Sequence, residues 1–121
     1  ELVRRVTGPD AIVGATAHDI GEARAAVGRG ADYLGVGPCF PSATKSFVSH
    51  APREFLAEVA ATIALPAFAI GGVTLDRLDE LRALGWRRVA VAAAITRATD
   101  PPAMAARFIE RLACGSSAAI P

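Results

Sequence analysis

Net charge is almost absent from this sequence: 13 lysines and arginines face 12 aspartates and glutamates, leaving +1. The basic doublets Arg4-Arg5 and Arg87-Arg88 are too short for a polyanion surface, so no nucleic-acid partner is expected. A small local phosphate site is compatible with the same balance. Cysteine is scarce too. Cys39 and Cys114 lie far apart without Cys-x-x-Cys or Cys/His spacing, and they read as free thiols in a reducing compartment. No apolar run reaches the roughly 18 residues of a membrane-spanning helix, so no membrane partner is expected. The start, Glu1-Leu2-Val3-Arg4-Arg5, does not read as a secretory signal. These absences point to a soluble, cytoplasmic chain. Aromatics amount to only 6%, yet 52% of the residues are apolar and alanine is abundant. That composition suits close-packed helices and strands, and 121 residues suffice for one domain with one core.

Periodicity and punctuation divide the chain into alternating elements. Residues 1–6 read as the end of a helix, stopped by Gly8-Pro9. A strand is expected over 11–16, then a helix over 20–29 with Asp19 as its cap and Glu22 in the capping-box position. Gly28 and Gly30 end that helix. A second strand is expected over 32–37, followed by a long loop from Pro38 to about His50. The next helix covers 52–62, with Phe55, Leu56, Val59 and Ile63 at helical spacing. Pro66 opens a third strand, 67–70, which runs into Gly71-Gly72. A helix over 75–84 places Leu75, Leu78, Leu81 and Leu84 on one face. A fourth strand at 88–92 and a helix at 101–113 complete the pattern, so the domain is expected over 1–113 with a flexible tail at 114–121.

The strands are short and apolar on both parities, which predicts burial on both faces of a parallel sheet. Strand–helix units in sequence imply right-handed crossovers and an α/β fold. Two architectures follow: a small open doubly wound sheet, or part of a (β/α)8 barrel, which needs about 200 to 250 residues. Four βα units are half of such a barrel. A half-barrel leaves open strand edges and one bare apolar face, both prone to association. Either a homo-oligomer or a missing N-terminal half is therefore expected.

In such folds ligands meet the C-terminal ends of the strands. After the third strand, Gly71 and Gly72 lead into a helix, letting backbone N–H groups approach an anion. After the fourth, the small residues Ala92, Ala93 and Ala94 allow a second close approach. The loop after the second strand brings Ser42, Thr44 and Lys45 together, hydroxyls and a charge suited to a phosphate or pyrophosphate. The alternative for Lys45 is a solvated surface lysine. After the first strand, Thr16 and His18 share a face if the strand runs that far. His18 is a candidate acid/base group, or else a histidine bonded locally near the helix cap.

With these motifs in order, the chain resembles the C-terminal half of the thiamine phosphate synthases, from about Ile12 to Leu112. The matching points are Gly14-Ala15-Thr16-Ala17-His18, Gly30 through Pro38, Phe40-Pro41-Ser42-Ala43-Thr44-Lys45, Pro66 through Val73, Val89 through Ile95, and Asp100-Pro101. The resemblance implies a (β/α)8 barrel that joins hydroxymethylpyrimidine pyrophosphate to thiazole phosphate, giving thiamine phosphate and pyrophosphate. It implies that Thr16 takes the place of a serine near the pyrimidine and pyrophosphate. Ser42, Ala43 and Thr44 match a stretch on the thiazole phosphate, and Lys45 matches the lysine on the pyrophosphate leaving group. Gly72, Ala92 and Ala93 match the backbone cup for the thiazole phosphate, with Ala93 in place of a frequent serine. It also implies Mg2+, bound through aspartates of the N-terminal half, so no metal ligand is expected in this chain. His50-Ala51-Pro52-Arg53 replaces the glycine-rich start usual for the following helix.

Two other readings compete. One is a thiazole tautomerase of the same fold, using His18 as acid/base; the Thr44-Lys45 pair favours the synthase. The other is a non-catalytic phosphate-binding half-barrel fragment.

Overall fold

The computed structural model describes residues 2–41 and 50–119, with side chains for 2–41 and 50–114. The elements alternate as expected: α1 (Leu2–Thr7), β1 (Gly14–Ala17), α2 (Ile20–Gly28), β2 (Tyr33–Val36), α3 (Arg53–Thr62), β3 (Ala67–Ile70), α4 (Leu75–Ala83), β4 (Val89–Ala90), α5 (Ala93–Thr96) and α6 (Pro101–Ala119). Among the described residues, no helix is long and apolar enough to cross a membrane.

The strands form one sheet in the order β1-β2-β3-β4, and every neighbouring pair is parallel. This order decides between the two architectures. A doubly wound sheet reverses its strand order at a switch point and carries helices on both faces. Sequential strands joined by right-handed crossovers place every helix on one face, as in a barrel wall.

Burial follows from that arrangement. Ala17, Val36 and Ala69 stand in register and are fully buried, as is Leu34 beside Ala15 and Ala67. The opposite parity is different: Gly14, Thr16, Tyr33 and Ile70 are exposed, and Gly35 and Phe68 are half-buried. The expectation of strands buried on both faces is thus corrected to burial on one. The core lies between the covered face and the helices, where Leu34, Val36, Val59, Leu78 and Leu81 are its largest fully buried side chains. The leucine stripe of α4 behaves as its spacing requires, with Leu78 and Leu81 inside and Leu75 and Leu84 at the margin. Trp86 is buried against α3 and donates its indole N–H to the Leu56 carbonyl at 3.1 Å.

Three boundaries differ from expectation. The first strand begins at Gly14 rather than residue 11, and Ile12, ahead of it, is 81% exposed among the described residues. The last strand has two residues instead of five, since an edge strand has one neighbour and the chain turns at once into α5. That short helix was not expected from the alanine run. The backbone of α6 continues beyond residue 113 to Ala119.

Candidate functional site

β3 delivers the chain to Gly71 and Gly72, whose φ angles are +101° and +65°. Glycine is needed here for two reasons. These angles are poorly accessible to other residues, and neighbouring backbone presses close. A Cβ on Gly71 would lie 2.7 Å from Pro38 Cα, and one on Gly72 would lie 2.8 Å from the Phe40 carbonyl oxygen. The crowding arises because residues 39 and 40 run alongside the turn. Cys39 N–H donates to the Ile70 carbonyl at 2.9 Å, and Phe40 N–H to the Gly71 carbonyl at 3.1 Å.

Arg77 locks this corner. From α4 it donates through Nη1 to the carbonyls of Gly72 (2.8 Å) and Pro41 (3.2 Å), and its guanidinium lies 5.2 Å over the Phe40 ring. Sequence reasoning did not single it out. Its signal is an arginine on the first turn of the helix that follows Gly71-Gly72.

Between this corner and the end of β4 lies a cleft of about 700 Å³. Gly72, Val73 and Thr74 form one wall; Ala92, Ala93 and Ala94 form the other, and Arg97 lines the cleft with them. Both following helices start without a side-chain cap: neither Thr74 before α4 nor Ala92 before α5 makes a capping hydrogen bond. The first N–H groups of a helix have no partner within it. Here the N–H groups of Gly72, Val73, Thr74, Ala93 and Ala94 make no hydrogen bond with any described residue. An arrangement of unpaired amides at a helix start is chemically suited to an oxyanion.

The structure therefore brings together Gly72, Ala92 and Ala93. Pro41, also on the cleft, is the last described residue before Ser42, Ala43, Thr44 and Lys45, which lie outside the described residues. Thr16 is elsewhere. It sits exposed on the open sheet face, in register with Gly35 and Phe68. His18 follows β1 and is bonded locally: Nδ1 meets Glu22 Oε1 at 3.0 Å, and the same carboxylate accepts the His18 backbone N–H at 3.1 Å. Asp19 completes the cap by accepting the Glu22 N–H at 2.8 Å.

Burial pushes the Cys39 thiol up to about 11, and its Sγ donates to the Val36 carbonyl at 3.4 Å. A thiol so protonated is a packing group and not a nucleophile at neutral pH. Among the described residues, no group of three or more His, Cys, Asp or Glu side chains is placed to hold a metal ion.

Sequential parallel strands, helices on one face and a cleft at the strand ends define consecutive units of the (β/α)8 class. The chain belongs to the thiamine monophosphate synthase family, whose sequence model matches residues 1–95. Thiamine-phosphate synthase of Mycolicibacterium vanbaalenii is 46% identical over 111 residues, covering 88% of this chain and 48% of its own length. That of Streptomyces avermitilis is 45% identical over 112 residues, covering 90% and 52%. The solved thiamine phosphate pyrophosphorylase of Pyrococcus furiosus superposes with a TM-score of 0.76 at 29% identity, over 92% of this chain and 55% of that one. The chain thus spans about half the length of these relatives.

Proposed function

We propose that the protein carrying this chain couples hydroxymethylpyrimidine pyrophosphate to thiazole phosphate, and that this chain seats the thiazole phosphate. The names of the relatives support the reaction class. The observation that carries the seat is the pair of uncapped backbone turns, Gly72–Thr74 and Ala92–Ala94, lining one cleft, where no described residue pairs the N–H groups of Gly72, Val73, Thr74, Ala93 and Ala94. Backbone donors fixed by the fold need no rearrangement when an anion arrives, which is the arrangement that favours charge binding.

In the proposed chemistry, the bond from the pyrimidine methylene to pyrophosphate breaks and its electron pair leaves on the pyrophosphate oxygen. The thiazole nitrogen then donates its lone pair to the resulting cation. No strong base is required. The demand is for positive charge at the leaving group and for two substrates held in line. Lys45 is assigned the leaving group, and Ser42, Ala43 and Thr44 the thiazole phosphate alongside Gly72, Ala92 and Ala93. Thr16, on the open face, is assigned to the pyrimidine side. No step is assigned to a metal held by the described residues. The proposed setting is a reducing cytoplasm, consistent with Cys39 and Cys114 being free thiols.

The test is Lys45→Ala in the full encoded protein. Coupling is expected to fall by about two to three orders of magnitude, the range for losing one preorganised charge at a developing anion. Binding of thiazole phosphate should be retained. Unchanged turnover removes Lys45 from the mechanism. Turnover of a thiazole carboxylate phosphate that disappears in His18→Ala would instead establish the tautomerase.

A further inference from the structure

Two arginines line the cleft, and their circumstances differ. Arg77 is committed to the Gly72 and Pro41 carbonyls and to the Phe40 ring. Arg97 follows α5, and its backbone N–H closes that turn on the Ala93 carbonyl at 2.9 Å. Its side chain is exposed and makes no hydrogen bond or ion pair with any described residue. Among the described residues lining the cleft, the carboxylate is that of Asp76, on the first turn of α4, and no ion pair joins it to Arg97. Residues 93 and 97 are one helical turn apart and line the same cleft, so Arg97 belongs to the wall whose Ala93 and Ala94 amides no described residue pairs. Ala93 itself offers no side-chain donor.

Backbone amides bind any small anion. A guanidinium adds full charge and two parallel donors that match adjacent phosphate oxygens. We propose that Arg97 is a specificity-determining residue of this cleft, pairing with the terminal phosphate of a phosphomonoester and favouring it over the same ligand without the phosphate. This rests on the phosphate reading given above. Arg77 holds the shape of the cleft, and Arg97 supplies its charge.

The experiment is calorimetric titration of the full encoded protein with thiazole phosphate and with the corresponding thiazole alcohol, at low and high salt. Wild type, Arg97→Gln and Arg97→Lys are compared. Wild type is expected to prefer the phosphate, and Arg97→Gln to weaken phosphate binding about tenfold while leaving the alcohol unchanged, as expected for one charge-assisted pair. Salt should weaken the wild type more than the Gln variant. Arg97→Lys should restore part of the loss, because it keeps the charge and loses the fork. If wild type prefers the phosphate and Arg97→Gln prefers it equally, the inference about Arg97 is overturned while the phosphate cleft stands. If wild type itself does not distinguish the two ligands, the phosphate reading falls and takes this one with it. A loss for phosphate and alcohol alike, in both variants, would mark Arg97 as structural and overturn the proposal.

Discussion

Asp32 sits where the chain enters β2, and its carboxylate accepts the Val13 N–H at 2.7 Å and the Arg4 guanidinium at 2.8 Å. The same arginine reaches the carbonyls of Pro9, Ala11 and Gly30, so one ion pair ties α1 to the starts of β1 and β2. The Val13 hydrogen bond first, and then the Arg4 hydrogen bond and charge, hold the Asp32 carboxyl below its ordinary 3.8. A carboxyl whose folded value is depressed stabilises the fold above its unfolded value, and that contribution is lost as pH falls through the folded one. The midpoint of urea unfolding should therefore drop as pH falls below the ordinary 3.8 in wild type, and drop less in Asp32→Asn. Parallel acid limbs would show that another group titrates. Nothing in the sequence marked this role. Arg4 appeared only as half of a basic doublet, and Asp32 as the first residue of a strand, because their partnership spans 28 positions and is made by the fold.

At the scale of elements, the legible features were those set by local chemistry. The Asp19 cap, the leucine stripe of α4 and the Gly71-Gly72 turn stand where spacing placed them, because capping, amphipathic burial and positive φ are decided within a few residues. Ala92 and Ala93, expected at the end of the fourth strand, stand at the start of α5, and Gly72 alone was legible as a turn for the same reason. The ends of β1 and β4 were not, since strand length at a sheet edge depends on which neighbour is present. Arg77 and α5 were missed because both take meaning only from what packs opposite them. The turn offers a sharp test. Gly72→Ala places a Cβ against the Phe40 carbonyl and forces a non-glycine residue to φ +65°. It should cost about 1–3 kcal/mol in thermal or urea unfolding and weaken thiazole phosphate binding at the same time. Stability lost with binding intact would detach this turn from the phosphate.

The described part of the chain is a sheet with one covered face. Helices cover the face that carries Leu34, Val36 and Ala69, while Tyr33, Phe68 and Ile70 stand on the other, with Tyr33 and Phe68 meeting edge to face at 5.9 Å. The Tyr33 ring lies across Gly14, filling space that any side chain there would need. At roughly 25 cal/mol per Å², each 100 Å² of apolar surface left in water forgoes about 2.5 kcal/mol. Among the described residues, the edge strands β1 and β4 also keep one side without a strand neighbour. The 121-residue chain on its own should therefore self-associate as its concentration rises, or unfold at low temperature. Sedimentation equilibrium over a hundredfold concentration range, with circular dichroism melting, measures both. Tyr33→Lys with Phe68→Lys places charge on the open face without touching the helix-covered core, and should shift the population toward monomer. A wild-type chain that stays monomeric throughout and melts at high temperature would mean that the open face is covered within the chain itself, and the half-barrel account would fail.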